Sequence, residues 1–325
     1  KKQMSIKRTL KEKFGYDVSG LAAWKDNTLP NITPDLISTS RFLEKLMLEE
    51  GVKGSREIAL LSSSVALQAK AACTPSPDGS VVFTEKVLTT KPLYMGVEFC
   101  NETLNTKMTQ VLNALGMKNQ EGQLPAPLET ILMAYLTKQL QKKAERLVWL
   151  GDTASLDTEL VHFDGLVKAL KADTAVLKTT TTFATITTSN GYDAAYEVFT
   201  KIPAEIFDNQ MEIALYTGRT EALAIISDWN AANAYDRIQY TSEGGSIRFI
   251  LPQTNVEVIT VPALDGQNEI FAIPTALVFL GVDAREDENF DIKYDAYNEK
   301  LKVDTSFRLG VQYVFPQYFV RVKRA

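Results

Sequence analysis

The stretch 127-PLETILMAYLTKQLQKKAERLVWL-150 decides how the rest of this chain is read. Leu128, Ile131, Leu132, Tyr135, Leu136, Leu140, Ala144, Leu147 and Val148 recur at spacings of three and four, which is one face of a helix. Pro127 stands where a first helical residue belongs, since its missing N–H is not needed there. Gly151 follows as a C-terminal glycine. Lys138, Lys142, Lys143 and Arg146 crowd the second half, the end of the helix dipole that favours cations. At about 1.5 Å per residue the helix is roughly 36 Å long, and it is too charged to cross a membrane. A helix of this length needs a surface to lie on.

A second stretch offers one. From Leu301 to Phe315 the odd positions are Leu, Val, Thr, Phe, Leu, Val, Tyr and Phe, while Lys302, Asp304, Ser306, Arg308, Gly310 and Gln312 fall between them. This period of two marks a half-buried antiparallel strand. At about 3.3 Å per residue it would reach roughly 50 Å, well beyond an ordinary strand. The expectation is an elongated, flat subunit with little core per residue, stabilised by neighbours.

Composition narrows the function classes. The chain has 325 residues, room for two domains or one large one, and its 45% hydrophobic and 23% charged residues are those of a globular protein. A net charge of −5 argues against wholesale wrapping by nucleic acid. Cys73 and Cys100 are too few for a disulfide scaffold; they read as a redox pair or, more commonly, as buried thiols. No apolar run reaches the length of a membrane span and no signal-peptide pattern is visible. Asn31-Ile-Thr33 and Asn101-Glu-Thr103 match glycosylation sequons, which mean little without secretion.

In chain order, Lys1, Lys2, Lys7, Arg8, Lys11 and Lys13 face one acid, Glu12; they read as a phosphate-contacting arm or as a solvated terminus. Residues 14–40 read as an extended arm, and Ser40–Glu50 as a short amphipathic helix with Phe42, Leu43, Leu46 and Met47 on one face. Residues 56–100 read as a β-rich excursion. In it, Val65, Leu67 and Ala69 alternate before the turn at Thr74–Gly79, and Val81, Phe83, Val87 and Leu88 come after it. Lys91-Pro92, Tyr94, Val97 and Phe99 close the excursion. Asn101–Leu115 is a second amphipathic helix. After the long helix, Glu159–Ala172 reads as helical with a break at Gly165, and the seven threonines of 179–188 as an exposed strand or loop. A compact α/β module follows. Tyr192–Phe207 is helical with an interruption at Pro203, Met211–Tyr216 is a buried strand, and Gly218–Asn230 is a helix capped by Thr217 or Gly218. Strands are expected at Ile247–Leu251, Val256–Val261 and Glu269–Ile273, and later at Phe290–Tyr297 and Tyr318–Lys323.

Chemistry leaves little trace. His162, the one histidine, sits beside Phe163 and reads as a packing or surface residue rather than a base. One histidine and two distant cysteines do not make a familiar metal cluster, and no phosphate-loop, dinucleotide, nucleophile-elbow or zincin motif occurs. Asp283, Glu286, Asp287, Glu288 and Asp291 form an acidic cluster that fits no known cation loop and reads as a solvated turn. No catalytic residue, metal or cofactor is assigned.

The order of these elements resembles the major capsid protein of tailed bacteriophages, the Hong Kong 97-type fold. Three stretches carry the resemblance. Leu128–Thr153, ending LVWLGDT, is similar to the family's spine helix and the turn after it. Tyr192–Asn230, with MEIALYTGRTEALAIISDWN, looks like the opening of the axial domain. Phe290–Lys323, with Arg308, Gly310 and Pro316, looks like the closing strands. The implied fold class is α+β: an N-terminal arm (1–55), an extended β loop reaching over a neighbour (56–103), a peripheral domain with a long spine helix (104–190 and 284–325), and an axial domain (191–283). The implied function is a major capsid protein that self-assembles into the hexamers and pentamers of an icosahedral virion shell enclosing double-stranded DNA, built in the host cytoplasm. The implied partners are copies of itself, packaged DNA on the inner face, a portal, and decoration or scaffolding proteins, with no membrane. Lys1, Lys2, Lys7, Arg8, Lys11 and Lys13 would face DNA, and Val81, Phe83, Lys86, Lys91 and Tyr94 would make the inter-subunit contacts of the extended loop. Removal of a leading segment, frequent in the family, would suit a chain that begins at Lys1. Some members crosslink subunits through a loop lysine, for which Lys86 and Lys91 lie in the right region. The rival readings are an encapsulin-type nanocompartment of the same fold and, from another class, an enzyme or binding module with unfamiliar motifs.

Overall fold

The structure is a computed structural model that describes residues 41–64, 80–100, 126–233, 235–243, 246–283, 290–295 and 300–324. The basic arm at 1–13, the extended stretch 14–40, the turn at 74–79 with Cys73, the helix expected at 101–115 and most of the acidic cluster at 283–291 lie outside the described residues. The chain divides into two compact units. One comprises Lys1–Glu44, Pro92–Glu145 and Asp283–Arg308, the other Lys45–Lys91, Arg146–Val282 and Leu309–Ala325.

The second unit is built on a seven-stranded sheet. Its strands are β5 (Leu177–Phe183), β6 (Ile213–Thr217), β7 (Thr241–Glu243), β8 (Ser246–Ile250), β9 (Glu257–Thr260), β10 (Ile270–Pro274) and β14 (Val320–Arg324). Their spatial order is β5-β14-β10-β6-β9-β8-β7. β6 pairs in parallel with β9 and antiparallel with β10, Tyr216 lying opposite Phe271. Both central strands are buried at every position. A strand covered on both faces has no need of a polar side, which is why Met211–Tyr216 lacks alternation. On one face Ile213, Leu215, Ile270, Ala272, Val320 and Val322 join a core with α4 (Gly191–Thr200) and α6 (Arg219–Ala232). On the other, the indole of Trp149 packs against Tyr216 and Phe271 at centroid distances of 5.9 and 6.2 Å. The interruption expected at Pro203 is present, with Pro203 leading into α5 (Ala204–Asp208). Gly218 rather than Thr217 caps α6, while the Thr217 hydroxyl donates to the carbonyl of Glu269.

The long helix α2 runs over Ala126–Leu150, so Pro127 is its second residue rather than its first. Leu136, Leu140, Ala144, Leu147 and Val148 are buried as the pattern requires; Tyr135, placed on that face by spacing, is 59% exposed. Gly151 does not end the helix through a left-handed backbone. A side chain there would meet the Leu147 carbonyl at 2.6 Å and overlap that of Phe163. Gly165 is its counterpart, since a Cβ would lie 2.7 Å from the Gly151 nitrogen. The two glycines let the loop close, and the Gly165 N–H donates to the Gly151 carbonyl. The helix expected over Glu159–Ala172 therefore starts only after Gly165, as α3 (Leu166–Ala172), and 159–163 is a turn.

Lys168 ties this loop together. Its ammonium donates to Asp152 Oδ1 and Asp164 Oδ1, each at 2.7 Å, and to Thr153 Oγ1 at 3.1 Å. The Lys168 hydrogen bond holds the Asp152 carboxyl below its ordinary range. At Asp164 partial burial pushes upward and is outweighed by hydrogen bonds from Lys168 and Thr153. A depressed carboxyl contributes stability above its unfolded value, and that stability is lost as pH falls through the folded value. The raised Lys168 contribution is intact below the ordinary lysine range and lost only as pH rises through the folded value. The clasp is thus flat through neutral pH and fails in acid. Lys168→Met should make hydrogen exchange of 151–165 less sensitive to acidification below about pH 4, the ordinary carboxylate range.

The remaining strands are β1 (Met47–Glu49), β2 (Ser55–Ser64), β3 (Ser80–Thr89), β4 (Lys91–Cys100), β11 (Val278–Val282), β12 (Phe290–Asp295) and β13 (Lys300–Tyr313). The helix expected at Ser40–Glu50 is corrected: only α1 (Arg41–Glu44) is helical, and Met47–Glu49 pairs in parallel with Phe279–Gly281. β13 keeps the expected alternation, with Val303, Thr305, Phe307, Leu309 and Tyr313 buried and Ser306 exposed. It stops two residues early because Phe315 adopts a left-handed backbone, φ 53°, that leads into a 3-10 turn at Pro316–Tyr318. β13 pairs with β12 through 300–305 and with β11 through 309–313, and β4 also pairs with it.

Candidate assembly surface

β2 and β3 form a two-stranded sheet with ten paired positions, from Ser55↔Thr89 to Ser64↔Ser80, and no third strand among the described residues pairs with it. Directly opposed residues share a face. One face therefore carries Leu61 opposite Phe83, Val81 opposite Ser63, and Val87 opposite Glu57. On it Phe83 is 76% exposed and Leu61 57%, and Val81 and Val87 are exposed as well. Glu57 and Glu85 sit on the same face, both exposed.

The root of this hairpin is fixed. The Thr90 N–H donates to the Gly54 carbonyl and its hydroxyl to that of Val52, each at 2.7 Å, while the Val52 N–H donates to Val282. Gln312 Nε2 donates to the Val87 carbonyl at 2.9 Å. Leu88 is fully buried and lies over Gly281, which is paired with Gly310. A Cβ on Gly310 would overlap the Thr89 carbonyl oxygen and stand 3.0 Å from Thr90 Cα; one on Gly281 would stand 2.8 Å from the Thr90 methyl. The strand pair thus leaves a bare saddle across which the hairpin root runs.

The expected contact residues divide accordingly. Val81 and Phe83 lie on the uncovered face. Lys86 is on the opposite face and is engaged, its ammonium 4.8 Å from the centre of the Tyr313 ring. Lys91 is exposed at the start of β4. Tyr94 is 71% exposed but belongs to β4, beyond the hairpin, where its hydroxyl donates to Asp304 at 2.7 Å. That hydrogen bond raises the phenol above its ordinary range. Beside it Glu98 pairs with Lys300 at 2.8 Å, a bond that holds the carboxyl low. Leu61 is not marked by the sequence at all, and Val87 is marked there only as a strand residue, not as a contact. Their signal is that they stand opposite Phe83 and Glu57 once the register is known. His162 is exposed. Among the described residues no group of three or more His, Cys, Asp or Glu side chains is placed to hold a metal ion. No helix among them is long and apolar enough to cross a membrane.

No protein-family model matches the chain, and no curated protein matches it by sequence. Solved structures do match. A chain of the satellite phage P4 procapsid aligns with a TM-score of 0.57 at 10% identity, over 90% of this chain and 98% of that one. A chain of the capsid of an empty GTA particle gives 0.58 at 12% identity, over 88% and 90%. A chain of the virus-like particle from Pyrococcus furiosus gives 0.50 at 10% identity, over 90% and 96%. Similarity this broad at such low identity is a statement about the path of the backbone: the chain has the α+β, Hong Kong 97-type fold of phage capsid proteins.

Proposed function

We propose that this chain is the major capsid protein of a tailed phage, assembling with copies of itself into the hexamers and pentamers of an icosahedral shell around double-stranded DNA. The observation that carries the reading is the uncovered apolar face of the β2–β3 hairpin on a capsid-type fold. An isolated two-stranded ribbon is marginal in water. Burying a Phe or Leu side chain contributes about 1.5–3 kcal/mol, so a neighbour laid over Leu61 and Phe83 would hold both copies together. Such head-to-tail contacts close into rings when the rotation allows it.

In this reading residues 1–55 are the arm, 56–103 the extended loop, 104–190 and 284–325 the peripheral domain with α2 as its spine, and 191–283 the axial domain. Lys1, Lys2, Lys7, Arg8, Lys11 and Lys13 stand near packaged DNA. Portal and decoration or scaffolding proteins are the further partners, the subunit performs no catalysis, and its place is the virion after assembly in the host cytoplasm. The likeness to the Pyrococcus furiosus virus-like particle favours a second reading, a nanocompartment with protein cargo. Nuclease treatment of particles from infected or expressing cells separates the two. Protected double-stranded DNA supports the capsid; protein-filled shells without nucleic acid support the compartment.

A further inference from the structure

α4 and α5 present a row of aromatic rings. Tyr192 and Tyr196 stack at 5.7 Å, Tyr196 meets Phe199 at 6.1 Å, and Phe199 meets Phe207 at 6.1 Å. Tyr196 and Phe207 are exposed, while Tyr192 and Phe199 are half-buried. α4, α5 and the residues just after them carry Asp193, Glu197, Glu205, Asp208 and Glu212 against two cations, Lys201 and the Lys45 that pairs with Glu212. Three of these acids already touch the chain itself: Glu197 accepts from the Thr181 N–H, Glu205 from the Tyr318 hydroxyl, and Glu212 pairs with Lys45. Asp193 and Asp208 are exposed at the two ends of the row. An aromatic ridge edged with carboxylates matches a partner that is cationic and amphipathic, because lysine stems lie along rings and ammonium groups favour their faces.

The chain carries such a segment. Residues 1–16, KKQMSIKRTLKEKFGY, which lie outside the described residues, hold six cations against one acid, with Phe14 and Tyr16 at their end. We propose that the α4–α5 ridge receives residues 1–16 of a neighbouring copy, making the arm an inter-subunit tie. This rests on the shell reading, which supplies the neighbour.

The test is zero-length carbodiimide coupling of the full chain, mixing unlabelled and ¹⁵N-labelled protein, with mass spectrometry of the joined peptides and electron micrographs of the same sample. The expected result is mixed-isotope peptides joining Lys1, Lys2, Lys7, Lys11 or Lys13 to Asp193, Glu205 or Asp208, with a yield that falls as salt rises. Removing the two exposed rings in Tyr196→Ala/Phe207→Ala should lower that yield by about threefold or more. Asp193→Asn/Asp208→Asn tests the charges separately, without touching the rings. Shells without these cross-links, or with arm lysines joined only within one copy or only elsewhere, would overturn the inference and leave the shell reading standing. Neither shells nor cross-links would overturn both.

Discussion

Phe83→Asp should leave the subunit folded and abolish its assembly. Phe83 is 76% exposed, so the substitution removes almost nothing from the core of a single copy. Circular dichroism and the melting temperature should match those of the parent chain. In an assembly that covers the hairpin, the same change removes about 2–3 kcal/mol of apolar burial and places an unpaired carboxylate against an apolar surface. A loss of about 3 kcal/mol per contact raises the concentration needed for assembly by roughly a hundredfold, and a shell repeats the contact at every copy. Light scattering against concentration reads this directly. Leu61→Asp, opposite Phe83, should behave alike. Thr84→Asp, on the opposite face of β3, should assemble nearly as well as the parent. Assembly of Phe83→Asp at the parent's concentration would remove the hairpin face from the account.

Gly310→Ala should be nearly as damaging, for a different reason. The added methyl would overlap a backbone carbonyl, that of Thr89, rather than the end of a flexible side chain. Backbone cannot rotate away, so either β13 or the hairpin root must shift. Overpacking of this kind costs about 1–3 kcal/mol. The shift also misdirects the hairpin, because Thr90 anchors it to Val52 and Gly54 immediately beside the clash. The expected phenotype is a lowered melting temperature together with aberrant or absent shells. Gln312→Ala, which deletes the bond from Nε2 to the Val87 carbonyl and the one Oε1 accepts from the Tyr313 N–H but adds no clash, should be milder in both respects. Wild-type stability and normal shells in Gly310→Ala would show that the saddle does not set the hairpin's course.

What was legible in the sequence follows from how local its causes are. α2, α6 and β13 declare themselves because each has one face in the core and a period that cannot be mistaken over that length. β6 was legible for the opposite reason, since a short apolar run between turn residues fits a strand buried on both faces. Met47-Leu48-Glu49 is not, because its fate is settled by a parallel pairing with residues more than two hundred positions away. Gly165 reads as a break inside a helix, but its position is set by contact with Gly151, so the helix begins there. At the surface, Val81 and Phe83 read as strand residues, and the resemblance implies that they contact a neighbour. Their exposure means that no described residue is packed over that face, which periodicity does not encode. Leu61 sits in a serine-rich strand with almost no pattern of its own. Tyr94 reads in the sequence as part of the loop, yet it is tied to Asp304, 210 residues on.

The most direct test of the shell reading is light scattering and negative-stain electron microscopy of the purified full chain over a range of salt and protein concentration. The account predicts closed icosahedral shells, or rings of five and six subunits. A uniform monomer or dimer under every condition would contradict it.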